Sequence, residues 1–282
     1  IFKDFRGDFY GNCIEVVIKK YGCNYVKALQ IIANDFNIKK FKNIVKNEPL
    51  VPYSLEKFED KGLTTIQVEI QDFTEKELAW WNSFGISMKT LLHYNTYSCK
   101  HVFLNGNYFT SSSDNNPIFG YYRHENNDTS EYWRIYFPLK RVFRFLSNWS
   151  ATFIQGSRQL PKYGELLVIT KSMKDVMFLY EHGIPAIAPN SEGIIISDKQ
   201  MQKLSKRFTK IIVFYDNDLA GVKGAHKYKK TFSNVSCVFL KRKYSKDISD
   251  FYKKNSKLAL NSVEELKTII FNPLKMSYFY IF

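Results

Sequence analysis

Ile211-Ile212-Val213-Phe214-Tyr215-Asp216-Asn217-Asp218-Leu219-Ala220-Gly221 is the stretch that decides the fold. Its first five residues are continuously apolar, which marks a strand covered on both faces rather than one with a wet side. Two carboxylates follow at the carboxyl end, the edge of a parallel sheet where ligands bind. Residues two apart on a strand share a side, so Asp216 and Asp218 are expected to converge on one cation. Carboxylate oxygens are hard ligands and suit magnesium or manganese. Ala220-Gly221 lets the backbone approach closely as the next helix starts. The same two acids would also serve as caps of that helix, where acidic side chains are favoured.

Working outward, the pattern around this strand repeats. Residues 166–170 are another apolar run, 173–182 are helical up to Gly183, and 185–188 form a short strand. Residues 198–208 are helical, 219–230 are helical, 235–240 form a strand and 248–254 a short helix. Strand and helix alternate with apolar strands, which predicts an α/β unit: a parallel-sheet core flanked by helices. Upstream, the signals differ. Thr65–Ile70 has strand periodicity, Thr74-Glu75-Lys76-Glu77 matches a capping box, Asn105-Gly106 marks a hairpin, and Trp133–Phe137 is a strand ended by Pro138. Residues 64–160 are therefore expected to be α+β with a mainly antiparallel sheet. Further back lie two helical patterns, 13–21 and 25–36. Before them Lys3–Gly11 is turn-rich, and after them a Lys- and Asn-rich linker spans 39–63.

The chain has 282 residues, enough for more than one domain, and 45% of them are hydrophobic. No apolar run approaches the length of a membrane helix, and no signal peptide is visible, so no membrane partner is expected. The first residue is Ile1 rather than Met, which reads as a fragment. Four scattered cysteines, Cys13, Cys23, Cys99 and Cys237, make neither a disulfide framework nor a zinc site and point to a reducing, cytoplasmic setting. Net charge is +14, and residues 203–254 carry fourteen basic and four acidic side chains, hence +10 of it. Such an excess suits a polyanionic partner, whose counterions are released on binding, or a solubilising surface.

Asp216-x-Asp218 followed by Ala220-Gly221 resembles the second motif of the Toprim domain, shared by bacterial-type primases, topoisomerases and some nucleases. Leu166–Asp175 resembles the first. There the family strand ends in Glu-Gly with an Asp three residues on; here Asp175 keeps that last place, but Lys171-Ser172 stands where Glu-Gly is expected. A phage-type primase variant is similar, with Thr-Lys-Ser…Lys-Asp followed by Asn-Ser-Glu, the order of Thr170-Lys171-Ser172, Lys174-Asp175 and Asn190-Ser191-Glu192. Glu192 then takes the catalytic carboxylate's part or is a solvated loop acid. Lys246-Asp247-Ile248-Ser249-Asp250 resembles the Lys-Asp-Pro-Asp motif that closes the metal site. Asp250 is offset by one residue and fits a helix's first turn. Trp133–Leu139 and Gln155–Pro161 resemble the strand pair that precedes Toprim in primase cores, and Lys3–Phe36 resembles the tail of a primase zinc-binding domain.

The resemblance implies a DNA primase core that makes short RNA primers on single-stranded DNA from ribonucleoside triphosphates, with a replicative helicase as a further partner. It implies Mg2+ or Mn2+ on Asp216, Asp218 and Asp247; Glu192, Asp175 and Lys171 at the reaction; and Arg134, Arg158 and Lys171 on template or triphosphate. No zinc is expected in this stretch. The implied division is 1–40 as a zinc-domain-like remnant, 41–163 as the basic α+β subdomain, 164–256 as Toprim and 257–282 as a C-terminal helix and tail. The competing readings are a catalytically inactive Toprim DNA-binding replication module and a Toprim nuclease.

Overall fold

The computed structural model describes residues 2–3, 10–23, 25–36, 64–124, 131–190, 193–268 and 277–281. The linker at 39–63, most of the turn-rich opening and Glu192 lie outside these residues. Strands β1 (Phe2–Lys3) and β2 (Tyr10–Gly11) pair antiparallel. Helix α1 (Cys13–Tyr21) begins in a capping box between Asn12 and Glu15, and α2 (Tyr25–Asp35) packs on it.

The antiparallel sheet starts with β3 (Ile66–Gln71), followed by α3 (Glu75–Asn82), α4 (Met88–His93), β4 (Thr96–Leu104), β5 (Asn107–Ser111), β6 (Phe119–Arg123), β7 (Tyr132–Tyr136) and β8 (Phe145–Ser147). Strand order is β3-β4-β6-β7-β8, with β5 on β4. The capping box expected at Thr74 forms with Glu77. The β4–β5 hairpin turns on Asn105 and Gly106, both at positive φ (51° and 78°), the backbone that an Asn-Gly pair favours.

The α/β unit comprises β9 (Gly164–Ile169), α5 (Met173–Glu181), β10 (Ala186–Ile187), α6 (Asp198–Ser205), β11 (Phe208–Phe214), α7 (Leu219–Thr231), β12 (Val235–Leu240), α8 (Ile248–Lys254), α9 (Ser256–Thr268) and β13 (Phe279–Ile281). Its order is β10-β9-β11-β12-β13; all pairings are parallel except β12 with β13. The mixed architecture expected from the sequence is thus present. Three details differ. The helix read over 198–208 ends at Ser205, because Phe208 already pairs with Gly164 in the sheet. Tyr215 lies past the end of β11. The tail returns as β13, which closes the edge of β12.

The period-two pleat sorts the sheet's side chains into two cores. Leu166, Val168, Ile212, Phe214, Val238 and Leu240 face one cluster, while Leu167, Ile169, Ile211, Val213, Cys237 and Phe239 face the other. The first cluster also contains Trp81, Phe119, Tyr121 and Tyr136 from the antiparallel region, so the two sheets share one apolar core. This shared core sets the antiparallel sheet against the α/β unit.

Candidate active site

The loop after β11 is stitched to its neighbours. The Asn217 side-chain amide donates to the Leu240 carbonyl at 2.9 Å, and Arg242 Nε donates to the Asn217 carbonyl at 3.0 Å. These bonds tie the end of β11 to the loop after β12. Asp218 caps α7: its Oδ1 accepts the Gly221 N–H at 2.9 Å. Gly221 sits over Asp216 so closely that a Cβ there would overlap the Asp216 carbonyl oxygen and stand 3.0 Å from its carbonyl carbon. Ala220-Gly221 therefore does what its composition suggested, and the crowded partner is the backbone of Asp216 itself.

Asp216 is 2% exposed, and Lys171 Nζ pairs with its Oδ2. Lys246 Nζ reaches the same oxygen at 3.1 Å and Asp218 Oδ2 at 2.6 Å. Asp216 and Asp218 are brought together, but not by strand parity, since both lie beyond β11. Lys246 joins them. The capping role weighed for Asp218 is also real, with one oxygen on the helix and the other on the lysine.

A second pair of acids faces the first. Asp175, 1% exposed in the first turn of α5, accepts from the Ser172 and Ser249 hydroxyls, each at 2.6 Å. Ser249 also lies 3.2 Å from Asp247 Oδ1, and Asp247 caps α8 by accepting the Asp250 N–H at 2.7 Å. Asp250, offset in sequence, pairs with Lys174 at 2.7 Å.

Electrostatics divide these acids. Burial raises Asp216, Lys171 opposes it, and nearby Asp247 adds to the rise. Burial likewise raises Asp175, opposed by Lys174 and reinforced by Asp216. Asp247 is pushed up to about 6 by burial and then by the charge of Asp175. Asp218 goes the other way: burial opposes it, but the Gly221 N–H and Lys246 hold it below the usual carboxylate range. Three buried acids that raise one another are a site short of positive charge.

Lys246, Lys174 and Ser249 contact the acids of the candidate site, and the sequence reading did not single them out, although all three lie within its motifs. Arg134 and Arg158 stand elsewhere. Arg134 Nη1 donates to Asn190 Oδ1 at 2.6 Å, its guanidinium lies 4.4 Å from the Phe145 ring centre, and burial lowers its pKa to about 10. It thereby holds the residue two before Glu192. Arg158 donates to the His124 carbonyl.

All the acids offer oxygen donors, the set that suits a hard divalent cation. Among the described residues, five carboxylates (Asp175, Asp216, Asp218, Asp247, Asp250) stand among five ammoniums: Lys171, Lys174 and Lys246 in ion pairs, and Lys253 and Lys254 acting on Asp250. As the side chains stand, no three carboxylate, imidazole or thiol groups among the described residues gather closely enough to hold a metal.

A parallel sheet carrying paired acids at its carboxyl edge is joined by a shared core to an antiparallel sheet. Residues 168–252 match the family described as Toprim-like. No curated protein sequence matches the chain. Among solved structures, the DnaG primase catalytic domain bound to single-stranded DNA aligns with a TM-score of 0.51 at 14% identity, over 70% of this chain and 75% of that one. The DnaG catalytic core aligns with a TM-score of 0.51 at 15% identity, over 70% and 74%. The primase fragment of the bacteriophage T7 primase-helicase protein aligns with a TM-score of 0.45 at 16% identity, over 64% and 71%. The fold is thus that of the DnaG catalytic core. Among the described residues no helix is long and apolar enough to cross a membrane.

Proposed function

We propose that the chain is a primase core that synthesises short RNA primers on single-stranded DNA by metal-dependent nucleotidyl transfer. The observation that carries the reading is the two pairs of acids at the sheet's carboxyl edge, Asp216 with Asp218 and Asp175 with Asp247, in a chain whose fold is that of the DnaG catalytic core. Mg2+ or Mn2+ held by Asp216, Asp218 and Asp247 would supply charge neutralisation for phosphoryl transfer. The chain's own residues do the rest. Asp218 and Asp247 are fixed by the helices they cap, which holds both carboxylates at the sheet edge. Ser249 keeps Asp175 and Asp247 in register. Lys171 and Lys246 place two ammoniums where triphosphate oxygens would lie. Arg134 and Arg158, with the +10 segment, are assigned to the template or triphosphate. Glu192, two residues along the chain from the Asn190 that Arg134 holds, is assigned proton removal from the attacking 3′-hydroxyl.

In this reading residues 41–163, described from 64 onward, are the basic, template-facing part and 164–256 the catalytic part, and a replicative helicase is the natural partner. One observation favours a second reading, an inactive DNA-binding module: Asp216 is already neutralised by lysines of the same chain. Incubation with labelled ribonucleotides, single-stranded template and Mn2+ separates the two. Primers support the proposal. DNA binding without synthesis supports the inactive module, and degradation of the template without nucleotides supports a nuclease.

A further inference from the structure

An irregular loop over residues 150–162 runs beside β10, the edge strand, and is bridged to the end of that strand between Gln155 and Ala188. The carbonyls of such a loop need donors, and two arginines from outside it supply them. Arg123, at the end of β6, donates to the Ile154 carbonyl at 3.4 Å and lies 4.1 Å from the Phe153 ring centre. Arg207, between α6 and β11, donates through Nε to the Lys162 carbonyl at 3.2 Å and through Nη2 to the Pro161 carbonyl at 2.7 Å. Both guanidiniums are thereby held in place. Together with the loop, β10 and α6 they border a cleft of about 180 Å3, whose apolar part includes Ile154, Leu160 and Ile187. Lys203, exposed in the last turn of α6, adds a third cation and makes no ion pair among the described residues.

Among the described residues no carboxylate lines this cleft, and none of the acids of the sheet edge belongs to it. Asp198, at the opposite end of α6, lines a separate groove. Three cations gathered around one cleft without an acid repel one another, and an anion between them relieves that repulsion. Their donors suit phosphate oxygens, the arginines as planar forks and the lysine as a mobile point charge. Size limits the ligand: clefts that enclose a whole small molecule run to about 300–1,000 Å3, and this smaller one admits a single phosphate with part of its sugar. We propose that the cleft bordered by Arg123, Lys203 and Arg207 is an anion seat that takes one phosphoryl group, of a nucleic-acid strand or of a free nucleotide, apart from the acidic edge. The inference concerns binding alone and does not depend on the reaction proposed at that edge. The competing account is a pair of arginines that serve only the loop's carbonyls, with a lysine that serves only solubility.

The test uses the full chain without metal or triphosphates. Fluorescence anisotropy follows a labelled single-stranded DNA oligonucleotide across a salt series, and calorimetry follows a ribonucleoside monophosphate. One phosphate contact on a single strand contributes about −0.7 to the slope of log affinity on log salt, which at about 0.1 M salt is worth about fivefold. Lys203→Gln should therefore weaken the ligand that uses the seat by about fivefold and, for DNA, bring the slope about 0.7 closer to zero. Thr152→Glu, which sets a carboxylate at an exposed position on the cleft, should weaken it at least as much. Both positions are exposed, so the fold is spared. Lys257→Gln, exposed on α9, should change neither reading. A loss for DNA alone identifies a strand phosphate, and a loss for the monophosphate identifies a free nucleotide; either supports the seat. Wild type that binds neither ligand, or Lys203→Gln that changes neither, would overturn it. So would a loss that Thr152→Glu does not reproduce, or one that Lys257→Gln equals.

Discussion

Gly221→Ala is the perturbation whose outcome the structure fixes most tightly. Alanine is normally the better helix residue, and in an unstrained helix interior the exchange stabilises by about 0.5–1 kcal/mol. Here the added methyl would overlap the carbonyl oxygen of Asp216 and come within 3.0 Å of its carbonyl carbon and 3.1 Å of its nitrogen. These are backbone atoms at the end of a buried strand and cannot swing aside as a flexible side chain can. Relief requires α7 and the Asp216 loop to separate, and overpacking of this kind costs about 1–3 kcal/mol. The net expectation is a loss of about 1–2 kcal/mol, which lowers the melting temperature by about 2–8 °C in a chain of this size. The same separation would pull Asp216 away from Asp218, with which it is proposed to hold the metal, so Mn2+ affinity should fall with stability. Thermal melting followed by circular dichroism, with Mn2+ calorimetry on the folded protein, reads both. A melting temperature equal to or above wild type would refute the close approach.

Three other outcomes follow from the same site. Glu192→Gln should abolish primer synthesis while leaving single-stranded DNA affinity within about twofold, measured by fluorescence anisotropy; retained synthesis would remove Glu192 from the mechanism. In metal-free buffer, Asp247 has its folded pKa raised to about 6, so the folded state holds its proton longer than the unfolded chain. Stability should therefore be greater at about pH 4–5 and fall as pH rises through 6, by about 2–3 kcal/mol from this group, before Mn2+ restores it; a melting temperature flat across that window would contradict the burial argument. Affinity for single-stranded DNA should fall with a slope of log affinity on log salt of about −0.7 per phosphate contacted, and a flat response would reduce the +10 segment to a solubilising surface.

The parts of the fold legible in the sequence were those with an unambiguous period. β9, β11 and β12 are buried on both faces, so their apolar runs stand out, and α3 and α7 announce themselves through capping residues. β8 and β13 are three residues each, too short to show a period, and β13 earns its place only by pairing with β12. The acids of the site were legible because each ends a strand or starts a helix. Their partners were not. Lys246 meets Asp216 and Asp218 across about thirty residues of chain, and Ser249 meets Asp175 across seventy-four, and no local pattern encodes such pairs. Lys171 was visible only as a departure from the Toprim pattern; the aspartate it neutralises emerges from the folded sheet edge.

The central claim is tested most directly by primer synthesis itself: labelled ribonucleotides on a single-stranded DNA template with Mn2+, comparing the chain with Asp216→Asn. The account expects short RNA products from the first and none from the second, with template binding retained in both. Products of equal yield from Asp216→Asn, or template binding without any product from the unaltered chain under any divalent metal, would contradict it.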